Sequence, residues 1–101
     1  MTTLLVALLL PFPLCRGSPE LQAKAKVTCL AARKSALSEV GGKGLRVRSS
    51  ELEEEGGKLV DSFDVKRKGK PGVDEVQVDA LTGEVSSVKH ESAKDEAKEK
   101  D

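Results

Sequence analysis

The chain has 101 residues, enough for one small domain once any targeting segment is set aside. Lys+Arg and Asp+Glu both number 17, so the net charge is zero, which argues against nucleic acid or an anionic membrane surface as partner. Aromatics make up only 2%, and Trp, Tyr, Asn and Ile are absent.

Residues 1–14 differ from everything after them. Leu4-Leu5-Val6-Ala7-Leu8-Leu9-Leu10 is an uninterrupted apolar run, extended by Phe12 and Leu14 around Pro11 and Pro13. It is shorter than the roughly 20 residues a bilayer span needs and has the length of a signal-peptide core. Cys15 and Gly17 are small residues that suit cleavage after Gly17, whereas Leu14 before Cys15 does not suit a lipoprotein signal. Export is therefore expected, with no membrane span left after processing over residues 1–17. The other reading is a buried N-terminal helix or strand, but nothing downstream needs so apolar a partner. On this reading Cys15 leaves with the leader and Cys29 is the one thiol of the mature chain, with no internal bridge to make. Cys29 then reads as a small apolar residue on a helix face; an intermolecular bridge or reactive thiol is the alternative.

Residues 18–26 are polar and Ala-rich and read as a mobile lead-in. Thr28 is a good N-cap, and Cys29 to Val40 contains helix formers without Gly or Pro, predicting a helix of about three turns. Cys29, Leu30, Ala36, Leu37 and Val40 supply its apolar positions, while Arg33, Lys34, Ser38 and Glu39 can face water. Gly41-Gly42-Lys43-Gly44 follows a helix and precedes a strand, the reverse of a phosphate loop, and reads as a turn.

Leu45, Val47 and Leu52 predict a first strand whose alternation lapses at Ser49-Ser50, as a bulge would make it. Glu55-Gly56-Gly57-Lys58 is a hairpin turn, and residues 59–68 form the second strand with Leu59, Phe63 and Val65 on one face. Asp61 falls on that same face. Burying an unpaired carboxylate costs several kcal/mol or raises its pKa. A place near the sheet edge, where Asp61 reaches water, is therefore expected in preference to a functional carboxylate. Lys66, Arg67, Lys68 and Lys70, in the link to the third strand, read first as a solvated tip that protects a sheet edge, and otherwise as a contact for an acidic partner.

Val76 and Val78 alternate with Glu75, Gln77 and Asp79, giving a strand with one buried face. Asp79-Ala80-Leu81-Thr82-Gly83 then reverses the chain. Asp79 can accept hydrogen bonds from N–H groups two or three residues on, Thr82 completes the turn, and Gly83 can take a positive φ. Val85 and Val88 start a last strand ending near His90, and residues 91–101 read as a charged tail, frayed helix or coil. The catalytic inventory is short. His90 is the only histidine, Ser86-Ser87-Val88-Lys89 lacks the companions of a Ser-x-x-Lys site, and Glu51 to Glu55 lacks calcium-loop spacing. No enzyme, cofactor or metal is expected.

Taken together, Val27-Thr28 opening an Ala-rich helix, the Glu51-Leu52-Glu53-Glu54-Glu55-Gly56-Gly57-Lys58-Leu59-Val60 hairpin, Phe63-Asp64-Val65 and the Asp79-Ala80-Leu81-Thr82-Gly83-Glu84-Val85 segment resemble a PepSY domain over residues 25–90. The resemblance implies an α+β fold, one N-terminal helix packed on an antiparallel sheet of three to four strands, in an exported or envelope protein. It also implies a non-catalytic role, since the family occurs in propeptides of thermolysin-like metallopeptidases and is proposed to restrain peptidases. Members commonly carry an aromatic where Asp61 stands and an aliphatic where Cys29 stands. Both changes thin the core, so stability of only a few kcal/mol is expected. The functional expectation is a module that modulates an envelope or secreted peptidase. Its competitor is a structural or small-ligand-binding envelope protein that self-associates weakly through a sheet edge or Cys29.

Overall fold

A computed structural model describes residues 14–92. Residues 1–13, most of the expected leader, and residues 93–101, most of the expected charged tail, lie outside the described residues. Helix α1 (Pro19–Lys24) and helix α2 (Cys29–Val40) precede four strands, β1 (Leu45–Glu55), β2 (Lys58–Arg67), β3 (Val73–Asp79) and β4 (Val85–Glu91). The strands form one antiparallel sheet in the order β1-β2-β3-β4, with α2 lying over β2 and β3. The fold is α+β, as expected.

Helix α1 replaces the mobile lead-in expected over residues 18–26. Ser18 caps it by accepting from Leu21 N–H, Pro19 stands in its first turn, and Glu20 and Lys24 sit at the ends that suit their charges. The segment after it is pinned to the sheet, because Ala80 O accepts from both Lys26 and Val27 N–H.

Helix α2 begins at Thr28, whose hydroxyl accepts from Ala31 N–H at 3.1 Å, and ends at Gly41 with φ 71°. Ala32 and Ala36 are fully buried and let the helix lie close to the sheet. Leu30 does not join them. It is 59% exposed, because each residue turns about 100° around the axis and the stripe through Cys29, Ala32, Ala36 and Val40 carries it past the core.

The core lies between α2 and one face of the sheet and is built on Leu52, Leu59, Phe63, Val65, Val76 and Val78. Two bulges keep the apolar positions on that face. In β1 the register steps from Val47↔Val65 to Ser49↔Asp64, so Arg48 is the extra residue. Leu45 and Val47 are thereby aligned with Leu52, five positions on, which strict alternation would send to the opposite face. The irregularity expected at Ser49-Ser50 thus falls one residue earlier. In β4 the step from Gln77↔Ser87 to Val78↔Val85 leaves Ser86 extra, and its hydroxyl donates to Gln77 O.

Two expectations are corrected. The first concerns the cysteines. Cys15 and Cys29 form a disulfide with a Cα–Cα distance of 4.7 Å, and Cys15 is buried at 2% exposure. Cys29 is therefore neither a lone thiol nor a route to covalent dimers. Residues 14–17, assigned by the sequence to the leader, belong to the folded unit: Leu52 N–H donates to Arg16 O along the outer edge of β1. Gly17 lies so close that a Cβ there would stand 2.9 Å from Leu52 Cβ. Cleavage after Gly17 would remove this strap and half the disulfide.

The second concerns Asp61, which is only 2% exposed. Strand β2 is interior to the sheet, so Asp61 sits between Leu52 of β1 and Val78 of β3, on the face that α2 covers. Its Oδ2 has no hydrogen-bond partner, and burial pushes its carboxyl up to about 6.

The β3–β4 connection is built from short-range hydrogen bonds. Asp79 Oδ1 accepts from Leu81 N–H at 2.7 Å and Thr82 N–H at 3.1 Å, and Thr82 Oγ1 accepts from Glu84 N–H at 3.2 Å. Gly83 has φ 86° and donates its N–H to Asp79 O. Replacing Asp79 by Ala leaves two N–H groups to water at an exposed turn, so a loss of about 1 kcal/mol is expected. Asp79→Asn, which keeps an acceptor, should hold most of that stability. Urea midpoints of the two variants measure the difference, and equal midpoints would refute this account of the turn.

Candidate binding surfaces

The zero net charge hides a segregation along the strands. The β1–β2 hairpin end carries Glu51, Glu53, Glu54 and Glu55. Burial pushes the Glu53 carboxyl up and repulsion from Glu55 and Glu51 adds to this, while a hydrogen bond with Ser62 opposes it. The opposite end, where β1 starts and β2 finishes, carries Arg46, Lys66, Arg67, Lys68 and Lys70.

These cations have different duties. Arg67 donates to Gly41 O at 3.0 Å and Val40 O at 3.5 Å, so it satisfies carbonyls at the C-terminus of α2, where a cation also suits the helix dipole. Lys66 Nζ donates to Gly72 O at 3.0 Å. Lys68 and Lys70 reach water. Of the four residues expected to meet a partner, Lys66 and Arg67 are tied to backbone carbonyls, and Lys68 and Lys70 present their charge outward. Two clefts open beside Arg67. One, of about 500 Å³, lies between Leu45-Arg46 and Lys66–Gly69. The other, of about 340 Å³, is lined by Val65, Lys70, Pro71, Asp74 and His90.

At the second cleft His90 Nδ1 lies 2.7 Å from Asp74 Oδ1, the pair joining neighbouring positions of β4 and β3. Gly72 is held against the same histidine; a Cβ there would stand 3.1 Å from His90 Nε2. Sequence reasoning noted His90 as a solitary histidine and missed its partner. The turn alone would set Asp74 opposite Lys89; the bulge at Ser86 shifts the register by one and brings His90 there instead, which the sequence did not show. Among the described residues, no three His, Cys, Asp or Glu side chains gather where a metal would sit, and no helix is long and apolar enough to cross a membrane.

A different kind of surface lies along β4. Ala80 N–H donates to Leu59 O, so the N–H and C=O groups of even-numbered β3 residues point toward β2. By the alternation of an antiparallel ladder, Val76 then turns away from β4, and its partner Val88 presents its own N–H and C=O on the outer side. No strand pairs with that outer side among the described residues. Val88 is also 48% exposed. The β1 edge differs at Leu52, whose outward N–H is taken by Arg16 O. No protein-family model, curated protein or solved structure matches the chain.

Proposed function

We propose that this domain is a non-catalytic, exported binding module that restrains a peptidase by offering it the β4 edge as a strand. The observation that carries the reading is that among the described residues no strand pairs with the outer side of β4, whereas the β1 edge is strapped at Leu52. Peptidase clefts hold substrates as extended strands through main-chain hydrogen bonds, and β4 offers outward N–H and C=O groups of that kind at Val88. Its inner side stays bonded to β3, which keeps the strand from bending onto a catalytic centre. The disulfide fits export, since such bonds persist in oxidising compartments. The peptidase as partner rests on the PepSY resemblance.

One observation favours a second reading. The exposed Val88 lies on the same edge, so two copies pairing β4 to β4 would bury it, as in a structural protein that self-associates. A pull-down from envelope or secreted extract separates the two, using the oxidised chain with Cys15 retained as bait. Recovery of a peptidase that added domain slows is the expected result. The variant Val88→Pro removes the outward N–H while the bonds to β3 run through Ser87 and Lys89, so it should fold yet lose capture. Capture unchanged in Val88→Pro would reject the β4 edge. A concentration-dependent dimer with no peptidase recovered would shift the reading to self-association.

A further inference from the structure

We propose that the basic end of the sheet is a binding site for an anionic polysaccharide, independent of the strand-pairing edge. Arg46 and Lys66 are direct cross-strand partners in the β1–β2 register. Like charges placed opposite each other repel, and a carboxylate neighbour would ordinarily relieve them. Among the described residues no carboxylate forms an ion pair with Arg46, Lys66, Lys68 or Lys70. Among the described residues the only acid lining either cleft is Asp74, whose Oδ1 is engaged by His90 Nδ1. The repulsion is thus left for an external anion to relieve.

The arrangement suits a polymer more than a single small ion. The clefts of about 500 and 340 Å³ share Arg67 in their linings, so their cations are spread over two adjoining clefts and not gathered in one. Arg67 is held in place by the Val40 and Gly41 carbonyls and separates the two, while Arg46 and Lys68 serve one cleft and Lys70 the other. Leu45 and Pro71 add apolar walls against which sugar C–H faces can pack.

Two observations favour polysaccharide over nucleic acid. Among the described residues neither cleft is lined by Phe, Tyr or Trp, and Phe63 is fully buried, so these residues offer no aromatic platform on which bases would stack. The disulfide also belongs to an oxidising compartment, where polyanions are glycans more than nucleic acids. In the folded molecule the basic end then anchors the domain in an anionic matrix, leaving the β4 edge for its partner.

The test uses the purified, oxidised full chain with no peptidase present, so its failure leaves the strand-pairing reading untouched. Labelled heparin oligosaccharide carries sulfates, oligogalacturonate carries carboxylates only, and an oligo(dT) of matched charge carries phosphates and bases. Binding to heparin or to oligogalacturonate at low salt is expected, and which of the two is held more tightly identifies the anionic group. About four cations engaged should give a slope near −3 for log affinity against log salt. The triple variant Arg46→Gln, Lys68→Gln, Lys70→Gln spares the residues that hold backbone carbonyls, so it should keep its melting temperature and bind about tenfold or more weakly. The variant Glu51→Gln, Glu55→Gln, at the far end, should bind as the parent does. The proposal is overturned if neither polysaccharide binds at low salt, if the triple variant binds as tightly as the parent, or if oligo(dT) binds more tightly than both.

Discussion

Thermal unfolding of this domain is expected to occur at a higher temperature at pH 4.5 than at pH 7.5, the reverse of what most small proteins do. The cause is Asp61, buried with Oδ2 unpartnered and its carboxyl pushed up to about 6 by desolvation, against 3.8 for the free side chain. Between those two values the folded chain holds a proton that the unfolded chain has already released. Stability from this group is therefore fully present below pH 3.8 and falls as pH rises through about 6. At about 1.4 kcal/mol per unit, the loss over the whole window is about 3 kcal/mol. Glu53, also raised, contributes in the same direction. For a domain this small, 1 kcal/mol moves the midpoint by about 4–8 °C, so the effect is large against a total of a few kcal/mol. Asp61→Asn should abolish most of the pH dependence in this range. Asp61→Leu should do the same and, by replacing a buried charge with apolar volume, stabilise the domain at pH 7.5 by on the order of 2–3 kcal/mol. A midpoint that does not change from pH 4.5 to 7.5 would sink this account, as would an Asn variant with the parental slope.

Asp61 also marks where the sequence stopped being informative. The alternation from Leu59 through Phe63 to Val65 placed it on the apolar face correctly. The general rule that carboxylates avoid interiors then directed it to an edge. Whether a strand is edge or interior depends on partners far along the chain, here β1 and β3 on either side of β2. The parts that were legible are short-range. Thr28 capping α2, the lapse in β1 near Arg48 and the acceptor role open to Asp79 all depend on residues within a few positions of one another. Helix α1 was legible in its ends, through Ser18, Pro19 and Lys24, but six residues lie below the length at which propensity alone sustains a helix. It is held instead by covalent and backbone ties on both sides. The charge segregation could not be read from a net charge of zero. It emerges when the antiparallel register brings Arg46 opposite Lys66, across about twenty residues of sequence.

The cysteines carry the other large expected effect. The expected cleavage after Gly17 assigned Cys15 to the leader and made Cys29 solitary; the fold pairs them across 14 positions of sequence. A closed loop of that size restricts the unfolded chain by about 3 kcal/mol. Here the loop contains α1 and the Lys26 and Val27 anchors on Ala80, and its first residue holds the strap against Leu52. Reducing the bond, or making Cys15→Ser with Cys29→Ser, should thus lower stability by about 3 kcal/mol and the melting midpoint by more than 10 °C. Loss should begin at the N-terminal side, because α2, β2 and β3 retain their mutual contacts while residues 14–17 and α1 lose their fastening. Hydrogen exchange at Leu52 N–H reports this directly, since its acceptor is Arg16 O on the strap. It should quicken on reduction well before the amides joining β2 to β3. Once the strap leaves, the β1 edge is open as β4 is, and the reduced chain should associate at concentrations where the oxidised chain is monomeric. Equal melting midpoints with and without reductant, with Leu52 protected in both, would mean that the strap is held by packing alone and the disulfide is incidental to it.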